Sequence, residues 1–413
     1  MTSLSRRLTM WDAVVVGAGS MVGAGVFTVW SPAAGAAGTA LLVGLAAAGL
    51  VAFCNATSSA QLAVLYPTSG GTYVYAGRRL GPAWGHLAGW GFVVGKTASC
   101  TAMALTVGAY LWPGQERAVA VAAVVGIVVV NLGGITRTVA LTRILLGAAL
   151  LALVVVVVAG WSSEAADIDR LTPIDAGPFE VLRSAGFLFF AFAGYARIAT
   201  LGEEVIAPEV NIPRAIPLAL GAVLGLYAIV AVTALATVGA AALAATDAPL
   251  RLVVEAGPLD GLAPVVRVGA GIAALGVLLN LVAGVSRTVL AMARRHELPG
   301  WLAAVDRRRS VPQRAEVVVG AVIVVLVLAI DLRGAIAFSG VTVLAYYALT
   351  NASALTLGRA QRRWPLALAV VGLVGCLALA VSLPLAAVIW GLVVLTLGVG
   401  LRAIVRLRAS CCT

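Results

Sequence analysis

Four glycines, at positions 17, 19, 23 and 25, stand with Ser20 in the otherwise apolar run from Val14 to Phe27. Glycine in a helix interior costs roughly 1 kcal/mol relative to alanine, so four of them weaken a helix at its middle. A helix interrupted there frees N–H donors and C=O acceptors, which hydrocarbon tolerates only where they are buried in protein or line a cavity. Such groups bind ligands: N–H groups at the start of a half-helix suit an anion, and carbonyls at the end of one suit a cation. Gly19 and Gly23 also form a GxxxG pair, the pattern of a close helix crossing. Packing and binding therefore both stand as readings of this segment.

Two charged side chains lie inside apolar stretches, where each costs several kcal/mol unless it snorkels or serves a function. Lys96, the chain's single lysine, sits in Gly95-Lys-Thr-Ala-Ser-Cys100. An ammonium can shed its proton when desolvated, so Lys96 could carry a proton or hold a fixed positive charge in place of a metal cation. The structural alternative is a buried partner. Arg197 ends Phe189-Phe-Ala-Phe-Ala-Gly-Tyr-Ala-Arg197. Arginine keeps its proton, so it is a clamp for a carboxylate rather than a relay. An ion pair with Glu203 or Glu204 explains it equally well. The small and aromatic residues around Ala193-Gly194 could also unwind, and aromatics beside a break can close over a bound molecule.

These residues need a scaffold, and composition indicates which. Of 413 residues 62% are hydrophobic and 11% charged, with a mean hydropathy of +1.05, which excludes an ordinary soluble domain and indicates an all-α polytopic membrane protein. The cysteines at 54, 100, 376, 411 and 412 show no metal-ligand spacing and no disulfide framework, so no metal or cofactor is expected. Asp167-Ile-Asp169 lacks a histidine and reads as solvated charge rather than an enzyme site, and no selectivity-filter run suggests a channel. The Ser5-Arg-Arg-Leu8 start mimics a signal peptide, but the many later spans favour a retained first helix.

Windows of about 20 apolar residues predict twelve spans, near 11–30, 39–65, 84–112, 118–132, 139–161, 181–205, 216–243, 264–293, 315–330, 335–357, 366–381 and 384–401. Alternate loops test the count. Arg6, Arg7, Arg78, Arg79, Arg137, Arg143 and Arg214, with the clusters at 294–295, 307–309 and 359–363, fall on one side; acids such as Glu164, Asp169, Asp175 and Asp260 fall on the other. Cytoplasmic loops accumulate arginine, so both termini are expected inside, and the net charge of +11 is turned toward anionic lipid rather than nucleic acid. One transmembrane domain is expected over 1–401, with a short basic cytoplasmic tail at 402–413.

Spans one and six hold corresponding places in two consecutive sets of five. Transporters built from inverted repeats interrupt their helices at such places, with the substrate between them at the midplane. On this reading repeat one covers about 11–161, repeat two about 181–357, and two extra helices follow over about 366–401. A zwitterion fits two such breaks, and an amino acid is the obvious one.

Five segments carry a resemblance over most of the chain: Gly19-Ser-Met-Val-Gly-Ala-Gly-Val-Phe27; Tyr66-Pro-Thr-Ser-Gly-Gly-Thr-Tyr-Val-Tyr75 with Gly81-Pro and Gly89-Trp90; Asn131 and Gly134; Glu203-Glu-Val-Ile-Ala-Pro208 with Ile212-Pro-Arg-Ala-Ile216; and Ser286-Arg287 with Ala291-Met-Ala293 and Leu298-Pro299. In this order they resemble the amino acid-polyamine-organocation permeases, which have the leucine-transporter-type fold. The resemblance implies that backbone groups at Met21, Gly23, Ala24 and Gly25 hold a substrate carboxylate and share its amine. It likewise implies that carbonyls at Phe190 and Ala193, beside Gly194, complete the amine site, and that Phe190, with Phe192, forms a gate.

The chain departs from that family in two places. Gly194-Tyr195 is followed by Ala196 and Arg197 where many relatives carry a glutamate, and the fifth span has no lysine, the matching position falling near Ala149. Coupling could instead use Lys96, or sodium held by Ser286 and first-helix carbonyls, or the protein could exchange substrates. No carboxylate is expected at mid-membrane, so a neutral amino acid is the expected substrate, an acidic one second and a cationic one third. A non-transporting amino acid sensor would use the same site. No obligate protein partner is indicated.

Overall fold

A computed structural model of the chain describes residues 8–66, 70–133, 139–172, 175–195, 198, 205–306 and 311–411. Because a bilayer offers the backbone no partner, a spanning chain bonds to itself as helix. Among the described residues the regular structure is helical, with only the isolated bridges Leu8–Val205 and Asp306–Val311.

Helix α1 (Met10–Met21) starts at Thr9, whose hydroxyl accepts from the Asp12 amide while the Asp12 carboxylate accepts from the Thr9 amide, a reciprocal cap. The chain leaves helical geometry at Val22 and Gly23, then continues as α2 (Ala24–Thr28) and α3 (Trp30–Ala37). There follow α4 (Leu41–Leu65), the short α5 (Thr72–Arg79), α6 (Pro82–Leu111), α7 (Glu116–Leu132), α8 (Val139–Trp161) and α9 (Pro178–Phe192). The remainder comprises α10 (Pro208–Ala244), α11 (Pro249–Glu255), α12 (Ala263–Arg294), α13 (Gln313–Ala329), α14 (Leu332–Leu355), α15 (Leu366–Ser382) and α16 (Leu385–Cys411).

Eight segments of the described residues are long and apolar enough to cross a membrane. Twelve spans were expected from the windows. Helices α7, α13 and α15 have 17 residues each, about 25 Å at 1.5 Å per residue against a 30 Å hydrocarbon core, and α9 has 15 before the chain turns at Ala193, with part of the expected sixth span lying outside the described residues. The break in the first helix also divides the apolar stretch as Met10–Thr28 and Trp30–Leu65 rather than at a loop.

Helix α6 is the central post, buried along most of its length. Gly91, Gly95 and Ser99, one turn apart, face α14: a Cβ at Gly95 would lie 2.6 Å from the Thr342 hydroxyl, and the Ser99 and Ser339 hydroxyls are 2.7 Å apart. Small residues let backbones approach where lipid supplies no hydrophobic drive between helices. A second buried polar tie joins α4, α14 and α15, where Asn351 donates to Asn55 at 2.5 Å and the Cys376 thiol donates to the same Asn55 oxygen at 3.2 Å. Leucine and valine cover the outer faces, as at Val154, Val325, Val381 and Leu397. Exposed Trp11, Trp84, Trp112, Trp161 and Trp301 stand at or beside helix ends, the positions of interfacial belts.

Helix α2 crosses α9 backbone to backbone beside the first break, where a Cβ at Gly25 would lie 2.9 Å from the Ala191 Cα. Gly25→Ala is expected to cost about 1–3 kcal/mol through overpacking against backbone. Gly126→Ala, which meets nothing within 4 Å, is expected to be neutral or to gain up to about 1 kcal/mol. Unfolding midpoints of the two variants in detergent check this; equal midpoints would rule out a tight α2–α9 crossing.

Candidate functional site

The first break is closed locally by two short bonds. Val22 N–H donates to Ala18 O at 2.7 Å and Gly23 N–H turns back to Met21 O at 2.8 Å, so the helical ladder stops and restarts one residue later. The second lies after Phe192: Ala193 N–H reaches Phe190 O at 3.4 Å and Tyr195 N–H reaches Phe192 O at 3.2 Å, a turn rather than a continued helix. Arg197, Glu203 and Glu204 lie outside the described residues, as does the Ala24 side chain.

The two breaks touch. A Cβ at Gly194 would lie 2.2 Å from Ser20 O and 2.7 Å from Met21 N, so the chain after the sixth helix rests directly on the first-helix backbone at its break. Gly23 faces α12, where Val277 would meet its Cβ at 2.3 Å. Only glycine permits both approaches.

Two tyrosines satisfy carbonyls at the breaks. The Tyr227 hydroxyl, from α10, donates to Met21 O at 2.8 Å and stands 3.2 Å from Ala191 O. The Tyr347 hydroxyl, from α14, donates to Ala193 O at 3.0 Å. Both rings are fully or almost fully buried, and an unpaired carbonyl in such surroundings costs about 1–3 kcal/mol. The aromatics named as gates divide: Phe192 is wholly buried with its ring 5.1 Å from Tyr227, whereas Phe190 keeps 8% of its surface exposed.

Lys96 stands at the fifteenth of thirty residues in α6, 8% exposed. Cys100 follows one turn on in the same helix, and among the described residues Lys96 has no hydrogen-bond or ion-pair partner. One turn back, Phe92 lies 5.5 Å from the Tyr346 ring, which lies 5.2 Å from Tyr347. Aromatic contacts thus run from the lysine's part of α6 to the carbonyl at Ala193.

Ser286 is fully buried in α12 and donates to Val282 O at 2.8 Å. Its other polar neighbour is Glu316, which accepts from Asn131 Nδ2 at 2.6 Å. Among the described residues Ser286 therefore belongs to a polar group shared by α7, α12 and α13. Glu316 is 1% exposed, a buried carboxylate at the start of the ninth predicted span. It escaped the reading because it stands in the first turn of its helix, where a carboxylate ordinarily meets water. Beside the first break, Gly19 and Val22 share a cavity of about 20 Å³ with Thr142, Leu145, Gly276 and Asn280, space for about one water. Ala149, the place of the missing fifth-helix lysine, is wholly buried in α8.

The profile of the amino acid permease family matches residues 12–406. The chain belongs to the amino acid permease family. An uncharacterized transporter of Mycobacterium tuberculosis is 57% identical over 410 residues, covering 98% of this chain and 93% of the relative. The branched-chain amino acid permease of Bacillus subtilis is 26% identical over 335 residues, 75% of this chain and 72% of the relative. A chloroplast cationic amino acid transporter of Arabidopsis thaliana is 25% identical over 382 residues, 84% of this chain and 65% of the relative. In this amino acid permease the tyrosines and Glu316 went unread in sequence. The one available signal was polar rings and a carboxylate inside otherwise apolar helices.

Tyr227→Phe is expected to lower stability by about 1–3 kcal/mol, because Met21 O and Ala191 O lose a buried donor. Thr396→Val, at an exposed hydroxyl, is expected to change little. Thermal unfolding in detergent distinguishes the two, and an unshifted Tyr227→Phe midpoint would count against the hydroxyl's role.

Proposed function

We propose that this permease is a secondary transporter of amino acids working by alternating access, with the substrate at the two adjoining breaks. The observation that carries this reading is the contact of Gly194 with the backbone of Ser20 and Met21, which sets two interrupted helices against each other in an apolar body. In this reading N–H groups at Ala24 and Gly25, freed by the turn at Gly23, receive the carboxylate. They open a helical stretch that runs through α-helical Val29 into α3, so its dipole favours an anion. Carbonyls at Phe190 and Ala193 receive the amine; a carbonyl has two lone pairs, and Ala193 O keeps one beside its bond from Tyr347, whereas Met21 O is held by Gly23 N–H and the Tyr227 hydroxyl. Phe190 closes over the substrate, and Phe192 braces it through Tyr227.

The architecture proposed with this site has twelve spans, two inverted five-helix repeats and two further helices, in a bacterial cytoplasmic membrane with both termini inside. The loop arginines support that orientation. So does the joining of predicted cytoplasmic segments at one end of the bundle, through the Asp12–Arg143 ion pair and the Leu8–Val205 bridge.

A neutral amino acid is the proposed substrate. Lys96 opposes a second positive charge nearby, and the branched-chain permease of Bacillus subtilis is a relative with a neutral substrate class in its name. An acidic amino acid is the second reading, favoured by the lack of a described counter-charge for Lys96. Exchange or proton coupling is proposed over sodium, since Ser286 is engaged with Glu316 and Val282. A lysine can release its proton where an arginine cannot, which makes Lys96 the coupling candidate.

Proteoliposomes loaded with unlabelled neutral amino acid are expected to accumulate labelled substrate faster than empty ones, or to respond to an inward proton gradient. Lys96→Arg is expected to abolish any gradient response while leaving binding measurable. Binding without flux would make the protein a sensor. Flux with Lys96→Ala unchanged across pH would remove the lysine from coupling.

A further inference from the structure

Away from the breaks, at the end of the bundle that the arginine distribution assigns to the cytoplasm, a cavity of about 320 Å³ lies between α5, the start of α6 and the turn after α12. Its volume falls in the range of small-molecule sites. Tyr73, Arg78, Pro82, Arg295 and Glu297 line it. Each arginine lies over a ring: the Arg78 guanidinium is 5.7 Å from the centroid of Tyr66, and that of Arg295 is 5.0 Å from the centroid of Tyr73. A guanidinium held over a ring has five N–H donors and so retains donors for an external acceptor. Neither arginine has an ion-pair partner among the described residues.

Glu297 does not neutralise them, because its carboxylate is committed inward. It accepts from the Tyr73 hydroxyl at 2.7 Å, and His86 Nδ1 stands 3.7 Å from the same oxygen while Nε2 holds Gly398 O at 2.9 Å. Burial pushes the Glu297 carboxyl up, but the nearby His86 imidazole, the hydrogen bond from Tyr73 and the charge of Arg402 outweigh it and leave the group below its ordinary value. The cavity therefore has an anchored acidic floor and an uncompensated cationic rim. Gly77 and Gly85 bring α5 onto α6 so closely that a Cβ at Gly85 would lie 2.7 Å from the Gly77 Cα, which fixes the rim's width.

The surroundings identify the ligand. Trp84, two residues beyond Pro82, is 48% exposed, and Trp301, past the turn, is 52% exposed; such rings mark headgroup depth. Guanidinium pairs match phosphate oxygens in geometry, and basic pockets between helices on a cytoplasmic face take anionic headgroups. We propose that this cavity binds the phosphate of an anionic phospholipid from the adjacent leaflet, clamped by Arg78 and Arg295. The site is separate from the amino acid site and needs no transport to be tested.

The full chain is reconstituted in phosphatidylcholine nanodiscs with or without phosphatidylglycerol, released into mild detergent, and its retained lipid is measured by native mass spectrometry. Wild type is expected to retain phosphatidylglycerol in preference to phosphatidylcholine. Arg78→Gln and Arg295→Gln are each expected to weaken retention about fivefold, and the double variant on the order of 30-fold. Arg251→Gln, whose ion pair with Glu255 lies on α11, is expected to behave as wild type. The single variants keep the test readable if the double variant does not fold. Equal retention by wild type and folded single variants overturns the proposal. So does retained lipid that millimolar inorganic phosphate strips from wild type, which would assign the site to a soluble phosphate.

Discussion

The structure depends on one constraint, that a backbone donor or acceptor taken out of its helix in the middle of a bilayer must find another partner. At Val22–Gly23 and after Phe192 the chain accepts that penalty twice, and it places the two breaks against each other at Gly194 and Ser20. Tyr227 and Tyr347 then reach in from α10 and α14 to hold the Met21 and Ala193 carbonyls. The breaks are thereby made specific: the hydroxyls fix which carbonyl points where, and Tyr347 is itself held by Tyr195 stacked on its ring and Phe189 edge-on to it.

Around this centre, packing relies on small side chains. Gly25 on Ala191, Gly95 on Thr342 and Gly44 on Ser184 are contacts between backbones as much as between side chains. They bring the helices close enough for buried hydroxyl and amide pairs, Ser99 with Ser339 and Asn55 with Asn351, to form without water. Apolar residues face outward because their solvent is lipid, so an exposed Val381 or Leu397 carries no penalty.

Charge is handled by position. Arginines concentrate in alternate loops of the sequence, while the buried charged groups have particular neighbours. Glu316 has Asn131 and Ser286, Glu297 has Tyr73 and His86, and Lys96 has Cys100 one turn on in the same helix. Membership of the amino acid permease family makes such interior groups the natural places to look for coupling and regulation, since each costs stability that a purely structural role could avoid.

Much of this was legible in the residues themselves. Hydropathy required a helical membrane body, and the glycines at 17 to 25 marked the first interruption, because glycine's helix cost is local and adds along the chain. Five short segments together indicated the permease family. Partners across the fold were not legible. That Gly194 lands on Ser20, that Tyr227 and Tyr347 cap the freed carbonyls, that Phe192 packs inward, and that Ser286 turns to Glu316 are decided by which helices lie side by side. Helix periodicity states that a face is apolar or small, but it does not name the face opposite. Length alone is silent in the same way: a helix of 15 to 17 residues joins the bundle through its neighbours, and those neighbours exist only in the tertiary structure.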